Sequence, residues 1–366
     1  MKQPYLLLTP GPLSTTTTVK EAMQIDYCTW DSDYREITET IRKQLLDVAQ
    51  ASPDVYTTVL MQGSGSYAVE ATIGTALPRE HGVLMIAING AYGHRMSEIA
   101  EYYGIEHVDV VFNEDEAVDP VQIEAALDEH PEVTHFATVH SETTTGILNP
   151  IERLIPIMRA RGIVSIIDAM SSLGGVPINV DELDCDYIIS SANKCVQGVP
   201  GFAFVIAKQT TLAQTADNAR SLSWDLYAQW AAMTTQHGKW RFTSPTHVVH
   251  AFAQALTELQ AEGGVVPRYE RYRHDQELLS RGMQKLGFDL VINPAIQGPI
   301  ITSFKYPTQH FDFADFYQFL KERGFVIYPG KVSNIPSFRI GTIGEVYPTD
   351  IQRLLTIISD YQQLNQ

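Results

Sequence analysis

Between residues 56 and 207 the chain alternates short, nearly unbroken apolar runs with stretches of helical periodicity, and this alternation restricts the fold more than any other feature. The runs are YTTVLMQ (56–62), VLMIAIN (83–89), THFATVH (134–140), IVSIID (163–168), DYIISS (186–191) and FAFVIA (202–207). Several have almost continuous apolar centres, the pattern of strands covered by helices on both faces of a mostly parallel sheet. A shorter α/β pattern follows. Helical stretches from about His247 to Gly263 and on to Gly287 lead into FDLVI, PIITSFKY, a helix around FADFYQFLKERG, then FVIYPG, SFRIGTIG and a closing helix from Thr349. The expected organisation is an N-terminal segment over 1–20, a large domain over 21–262 and a smaller C-terminal α/β domain over 263–366. The last boundary rests on the acidic-to-basic step AEGGVVPRYER.

Charge narrows the range of partners. With 43 Asp and Glu against 26 Lys and Arg, and no run of basic residues, the chain would repel a polyanion, so no nucleic-acid partner is expected. The opening MKQPYLLLTPGP has only a short apolar stretch before its prolines, too short for a signal peptide or a membrane span, and cytoplasmic residence is the default expectation. Cys28, Cys185 and Cys195 form no CxxC pair and match no metal-ligand spacing, so neither a disulfide framework nor a metal site is expected. Cys195 sits beside a lysine and could be a nucleophile, although small thiols are more often buried apolar residues.

Three constellations carry chemistry. QGSGSYAVEATIGTAL reads as a strand, a serine-glycine turn and a helix starting near Ser66, which is either an anion site suited to a phosphate or an ordinary glycine turn. Asp168 ends the apolar run IVSIID, where ligands bind in open α/β sheets; it either meets a cation or caps the segment AMSSLGG. Lys194, in DYIISSANKCVQGVPG, stands at another strand's end among small and apolar neighbours. Desolvation there would favour the neutral amine that attacks carbonyls. Turn, aspartate and lysine on three strands of one sheet suit pyridoxal 5′-phosphate, whose phosphate, ring nitrogen and aldehyde need those three partners.

At this point a family resemblance becomes visible. The stretches LLLTPGP (6–12), CTWDSDY (28–34), LMQGSGSYAVEA (60–71), NGAYG (89–93), VHSETTTG (139–146), DAMSSLGG (168–175), ISSANKCVQGVPGFAFVIA (189–207), HGKWRFTSPTH (237–247), VIYPGKVS (326–333) and FRIGTIGE (338–345) resemble the class V, fold-type I aminotransferases. Within them they look most like those that take 2-aminoethylphosphonate as amino donor and pyruvate as acceptor. The resemblance implies a large, mostly parallel seven-stranded-type sheet covered by helices, plus the smaller domain. It implies that Lys194 forms the Schiff base with the cofactor and that Asp168 pairs with the pyridine nitrogen. Ser64, Gly65 and Ser66 would cradle the cofactor phosphate, Tyr92 would stack on its ring where cousins carry tryptophan, and Thr143 would bond near its phenolic oxygen. Tyr67 is a rival for the stacking role. Thr243 is similar to a residue that reaches the phosphate from a neighbouring subunit, which implies a homodimer with shared sites. Arg339 occupies the place of the substrate-anion arginine, where a planar fork suits carboxylate and phosphonate alike.

Three other readings share parts of this pattern. An alanine or serine aminotransferase using glyoxylate would keep every cofactor residue and differ only in its substrate pocket. A cysteine desulfurase would need a mobile loop cysteine, and none of the three lies in an evident one. A non-catalytic PLP-binding protein would not need the lysine, aspartate and arginine together.

Overall fold

The computed structural model of the chain describes residues 5–364. Its strands, in chain order, are β1 (Leu6–Leu7), β2 (Tyr56–Gln62), β3 (Val83–Ile88), β4 (Glu106–Val111), β5 (His135–Val139), β6 (Ser141–Glu142) and β7 (Ile147–Leu148). The remainder are β8 (Val164–Asp168), β9 (Tyr187–Ser191), β10 (Phe202–Lys208), β11 (Ile301–Lys305), β12 (Phe325–Val326), β13 (Tyr328–Pro329) and β14 (Ser337–Gly341). Seven of them form one sheet in the order β2-β10-β9-β8-β5-β3-β4. Only β10 runs against its neighbours, being antiparallel to both β2 and β9, so the other six strands point the same way.

All six apolar runs become strands of this sheet, within one or two residues of the expected limits. The seventh strand, β4, was not anticipated. It lies at the sheet's edge, and its sequence EHVDVV mixes charged with apolar residues because much of it meets solvent.

Period-two geometry explains why the central strands are apolar throughout. Along β10, Phe202, Phe204 and Ile206 point into a cluster with Leu45, Phe252 and Leu256, while Ala203, Val205 and Ala207 point into another with Val69, Ile73 and Met96. Burying each large side chain contributes about 1.5–3 kcal/mol, so both faces of the sheet favour the layered arrangement. The helix Gly65–Ala76 belongs to the second cluster and the helix Thr246–Ala261 to the first.

The C-terminal residues build a three-stranded sheet, β11-β14-β13, whose core unites Phe304, Phe316, Phe338 and Ile340 with Leu354 and Ile358 of the closing helix Pro348–Leu364. Two segments join this layer to the large sheet. The helix Val265–Lys285 places Tyr272 beside Cys195 at one end and Leu279 and Met283 in the C-terminal core at the other. The chain's early residues do the same: β1 pairs with β12, Gly341 N–H donates to the Leu8 carbonyl at 2.9 Å, and the following turn reaches Lys194. No helix among the described residues is long and apolar enough to cross a membrane.

Candidate active site

The six co-directional strands end on one edge of the sheet, and the loops leaving them enclose a cavity of about 210 Å³. Ser64, Gly65 and Ser66 follow β2, Tyr92 follows β3, Thr143 follows β5, Asp168 ends β8 and Lys194 follows β9; all seven line the cavity. This is where open α/β sheets bind ligands, because helix starts and strand ends converge there.

Ser64 caps the helix Gly65–Ala76 with extended backbone, which leaves the first amide groups of that helix without helical acceptors. A Cβ on Gly65 would lie 2.2 Å from the Met170 sulfur, so the turn packs closely against the neighbouring loop and a larger residue would have to displace the Met170 side chain. Free amides, two serine hydroxyls and the positive end of the helix make an anion cradle. Arg95 strengthens it: Nη1 donates to Ser66 Oγ at 3.1 Å, and the side chain lines the cavity. Sequence reading missed Arg95, for its link to Ser66 exists only once two helices are side by side.

Asp168 is 5% exposed, and its Oδ1 accepts the Met170 amide at 2.8 Å. Its Oδ2 accepts no hydrogen bond among the described residues. Burial pushes its carboxyl up to about 6, opposed by the Met170 amide. A buried carboxylate with one oxygen unmatched is complementary to a cationic N–H.

Lys194 Nζ donates to the carbonyls of Pro10 at 2.8 Å and Gly11 at 3.4 Å. Burial holds its pKa below the usual lysine range, toward the neutral amine, with Tyr92, Cys195 and Asp168 opposing. Gly11 permits the contact. With φ at +108°, a conformation L side chains rarely adopt, a Cβ there would come within 2.6 Å of Lys194 Cδ. Cys195 turns away: its sulfur contacts the Ser171 carbonyl at 3.3 Å and burial pushes the thiol up to about 12, which removes its nucleophilic character.

The two candidate stacking tyrosines separate cleanly. Tyr92 lines the cavity, whereas Tyr67 packs on Trp224 at a centroid distance of 4.9 Å in a different hollow. Glu142, fully buried and unforeseen, accepts hydrogen bonds from the amides of Thr144 and Tyr92 and from the Thr144 hydroxyl. Its carboxyl is pushed up by burial, and it holds the start of the helix Ala91–Tyr102 that carries Tyr92.

Arg339 is buried beside the cavity rather than lining it. Its Nη1 donates to the Thr143 carbonyl at 2.7 Å and its Nε to the Pro329 carbonyl at 3.0 Å, while Nη2 has no hydrogen bond among the described residues. Thr243 is exposed on the loop before the helix Thr246–Ala261 and does not reach the cavity within a single chain.

Residues 26–347 match the family model described as aminotransferase class-V. The chain belongs to the class-V aminotransferases. Class-V aminotransferases are pyridoxal-phosphate enzymes, and the anion cradle, unmatched carboxylate and desolvated lysine fit that cofactor's phosphate, ring nitrogen and aldehyde. Among curated class-V relatives, a 2-aminoethylphosphonate–pyruvate transaminase of Lactiplantibacillus plantarum is 81% identical over all 366 residues, covering 100% of both chains. One of Vibrio vulnificus with the same description is 56% identical over 360 residues, covering 98% of each. Among solved structures, the pyridoxamine-pyruvate aminotransferase of Mesorhizobium loti superposes with a TM-score of 0.90 at 21% identity, covering 99% of this chain and 93% of that one. That likeness establishes the shared fold.

Proposed function

We propose that this aminotransferase moves the amino group of 2-aminoethylphosphonate to pyruvate, yielding phosphonoacetaldehyde and L-alanine, with pyridoxal 5′-phosphate as its cofactor. The observation that carries the reading is the full-length 81% identity to a curated transaminase of that description, and a cavity lined by Ser64, Gly65, Ser66, Asp168 and Lys194 supports it. When bound, the cofactor supplies an aldehyde that captures amines and a ring that draws electrons from a breaking C–H bond.

The chain's own residues do the rest. Ser64, Gly65 and Ser66 would hold the cofactor phosphate, Asp168 its ring nitrogen, Tyr92 the face of its ring and Thr143 the neighbourhood of its phenolic oxygen. Asp168, as a carboxylate, would keep the ring nitrogen protonated. Lys194 would hold the aldehyde, and its Nζ, when free, would take the proton from the donor's amino-bearing carbon and later give it up again. A desolvated amine is suited to both tasks. Arg339 offers Nη2 to the anion of each substrate in turn, the phosphonate of the donor and the carboxylate of pyruvate. Thr243, exposed on its own chain, serves the phosphate of a second subunit in a homodimer, and the enzyme works in the cytoplasm.

The test is a comparison of donors and acceptors with the purified holoenzyme. 2-Aminoethylphosphonate with pyruvate should have the highest kcat/KM. If serine or alanine with glyoxylate wins, the donor assignment falls.

A further inference from the structure

The Tyr92 ring, on the wall of the cofactor cavity, is flanked by two cations: the Lys331 ammonium lies 4.8 Å and the Arg95 guanidinium carbon 5.1 Å from its centroid. Arg95 is committed to Ser66 at the phosphate cradle. Lys331 has no hydrogen bond and no close ion pair among the described residues, although its charge acts at longer range on the buried Glu142 carboxyl. That is unexpected in a chain whose acidic residues outnumber its basic ones by 43 to 26.

The placement of Lys331 is set by its surroundings. It comes two residues after Pro329, whose carbonyl accepts from Arg339 Nε, and Tyr328 faces Arg339 across the β13–β14 pair. Lys331 and Arg339 are therefore carried by one turn of chain. The next residues are tied down as well, since the Ser333 amide donates to the Glu114 carboxylate at 2.7 Å. The segment borders a second hollow, shared with Arg95 and His94, that opens beside the cofactor cavity.

We infer that Lys331 is the specificity residue for a doubly charged donor: Arg339 satisfies the single charge of a carboxylate, and Lys331 meets the second charge of a phosphonate. The inference rests on the donor proposed above. A carboxylate presents one charge and two oxygens, which the free Nη2 edge of Arg339 can serve. A phosphonate presents three oxygens and, like a phosphate ester, loses its second proton near pH 6, at about pKa 6. Its second charge would stand uncompensated beside the half-buried Tyr92 ring without another cation. The ammonium of Lys331 is a point charge on a flexible stem, suited to an anion that leaves after each turnover.

The experiment compares holoenzyme of the natural sequence with Lys331→Gln and Lys331→Arg in separate half-reactions with 2-aminoethylphosphonate and with alanine. Lys331→Gln should lower kcat/KM for the phosphonate donor by about tenfold or more, chiefly through KM, and by less than about threefold for alanine. Lys331→Arg should restore most of the loss. The rise in kcat/KM for the phosphonate donor as its second proton leaves should flatten in Lys331→Gln. Equal losses with both donors, or none with the phosphonate, overturn the inference while leaving the proposed reaction intact. If the natural sequence itself prefers alanine or serine with glyoxylate, the proposed reaction fails and this inference fails with it. Unchanged cofactor absorbance and unfolding temperature in both variants exclude a folding defect.

Discussion

Arg339 Nη1 donates to the Thr143 carbonyl at 2.7 Å, so a residue of the C-terminal sheet is clamped to the wall of the cofactor cavity. The Nε bond to Pro329 fixes the plane of the guanidinium and leaves Nη2 for an incoming anion. Arg339→Gln should therefore weaken both half-reactions, by about 2–5 kcal/mol in transition-state stabilisation if the ion pair is well desolvated. Single-turnover rates with each substrate measure this. A loss confined to one substrate would mean that Arg339 does not serve both anions.

Lys194→Ala should abolish transamination and the absorbance of covalently held cofactor. Lys194 is the lysine that lines the cavity with Asp168, and burial favours its neutral form. Borohydride treatment of the natural holoenzyme followed by peptide mapping should place the pyridoxyl label on Lys194. A label on another lysine would remove the assignment.

Asp168→Asn should separate stability from activity. In the folded cofactor-free protein the carboxyl is pushed up from 3.8 to about 6, so the folded chain holds a proton that the unfolded chain has released between those values. Stability from this group is thus present at low pH and lost as pH rises through that window, a cost of about 3 kcal/mol at neutral pH. The amide removes that cost, and cofactor-free Asp168→Asn should unfold at a higher denaturant concentration at neutral pH than the natural protein. The same variant should lose most of its turnover at cofactor saturation, because an amide does not keep the ring nitrogen protonated. Near-normal turnover would make Asp168 a structural residue.

Thr243 is exposed and lies away from its own chain's cavity. If it completes a neighbour's site, mixing inactive Lys194→Ala chains with inactive Thr243→Ala chains should restore activity, since a heterodimer then contains one intact site. Demonstrated subunit exchange without recovered activity would argue that Thr243 does not act across subunits.

The parts of the site legible in the sequence are those whose neighbours in the chain define them. Asp168 and Lys194 end apolar runs, and Ser64 to Ser66 open a helix after one, so strand pattern alone places them on one sheet edge. Arg95 and Glu142 were missed because their meaning comes from contacts with Ser66 and Tyr92, 29 and 50 residues distant in sequence. Tyr67 and Tyr92 both sit near helix starts, and only packing against Trp224 sends the first elsewhere. In the fold, β4 escaped because an edge strand facing solvent lacks the apolar signature that marked the other six.

Leu6 and Leu8 are held by the carbonyls of Gly324 and Val326 in the C-terminal layer, and a few residues later Pro10 and Gly11 hold the amine of Lys194. A short covalent tether thus has one end fixed to one layer and its other end on the reactive nitrogen of the other. Any sliding or tilting of the C-terminal layer must pull on the two carbonyls that solvate that nitrogen.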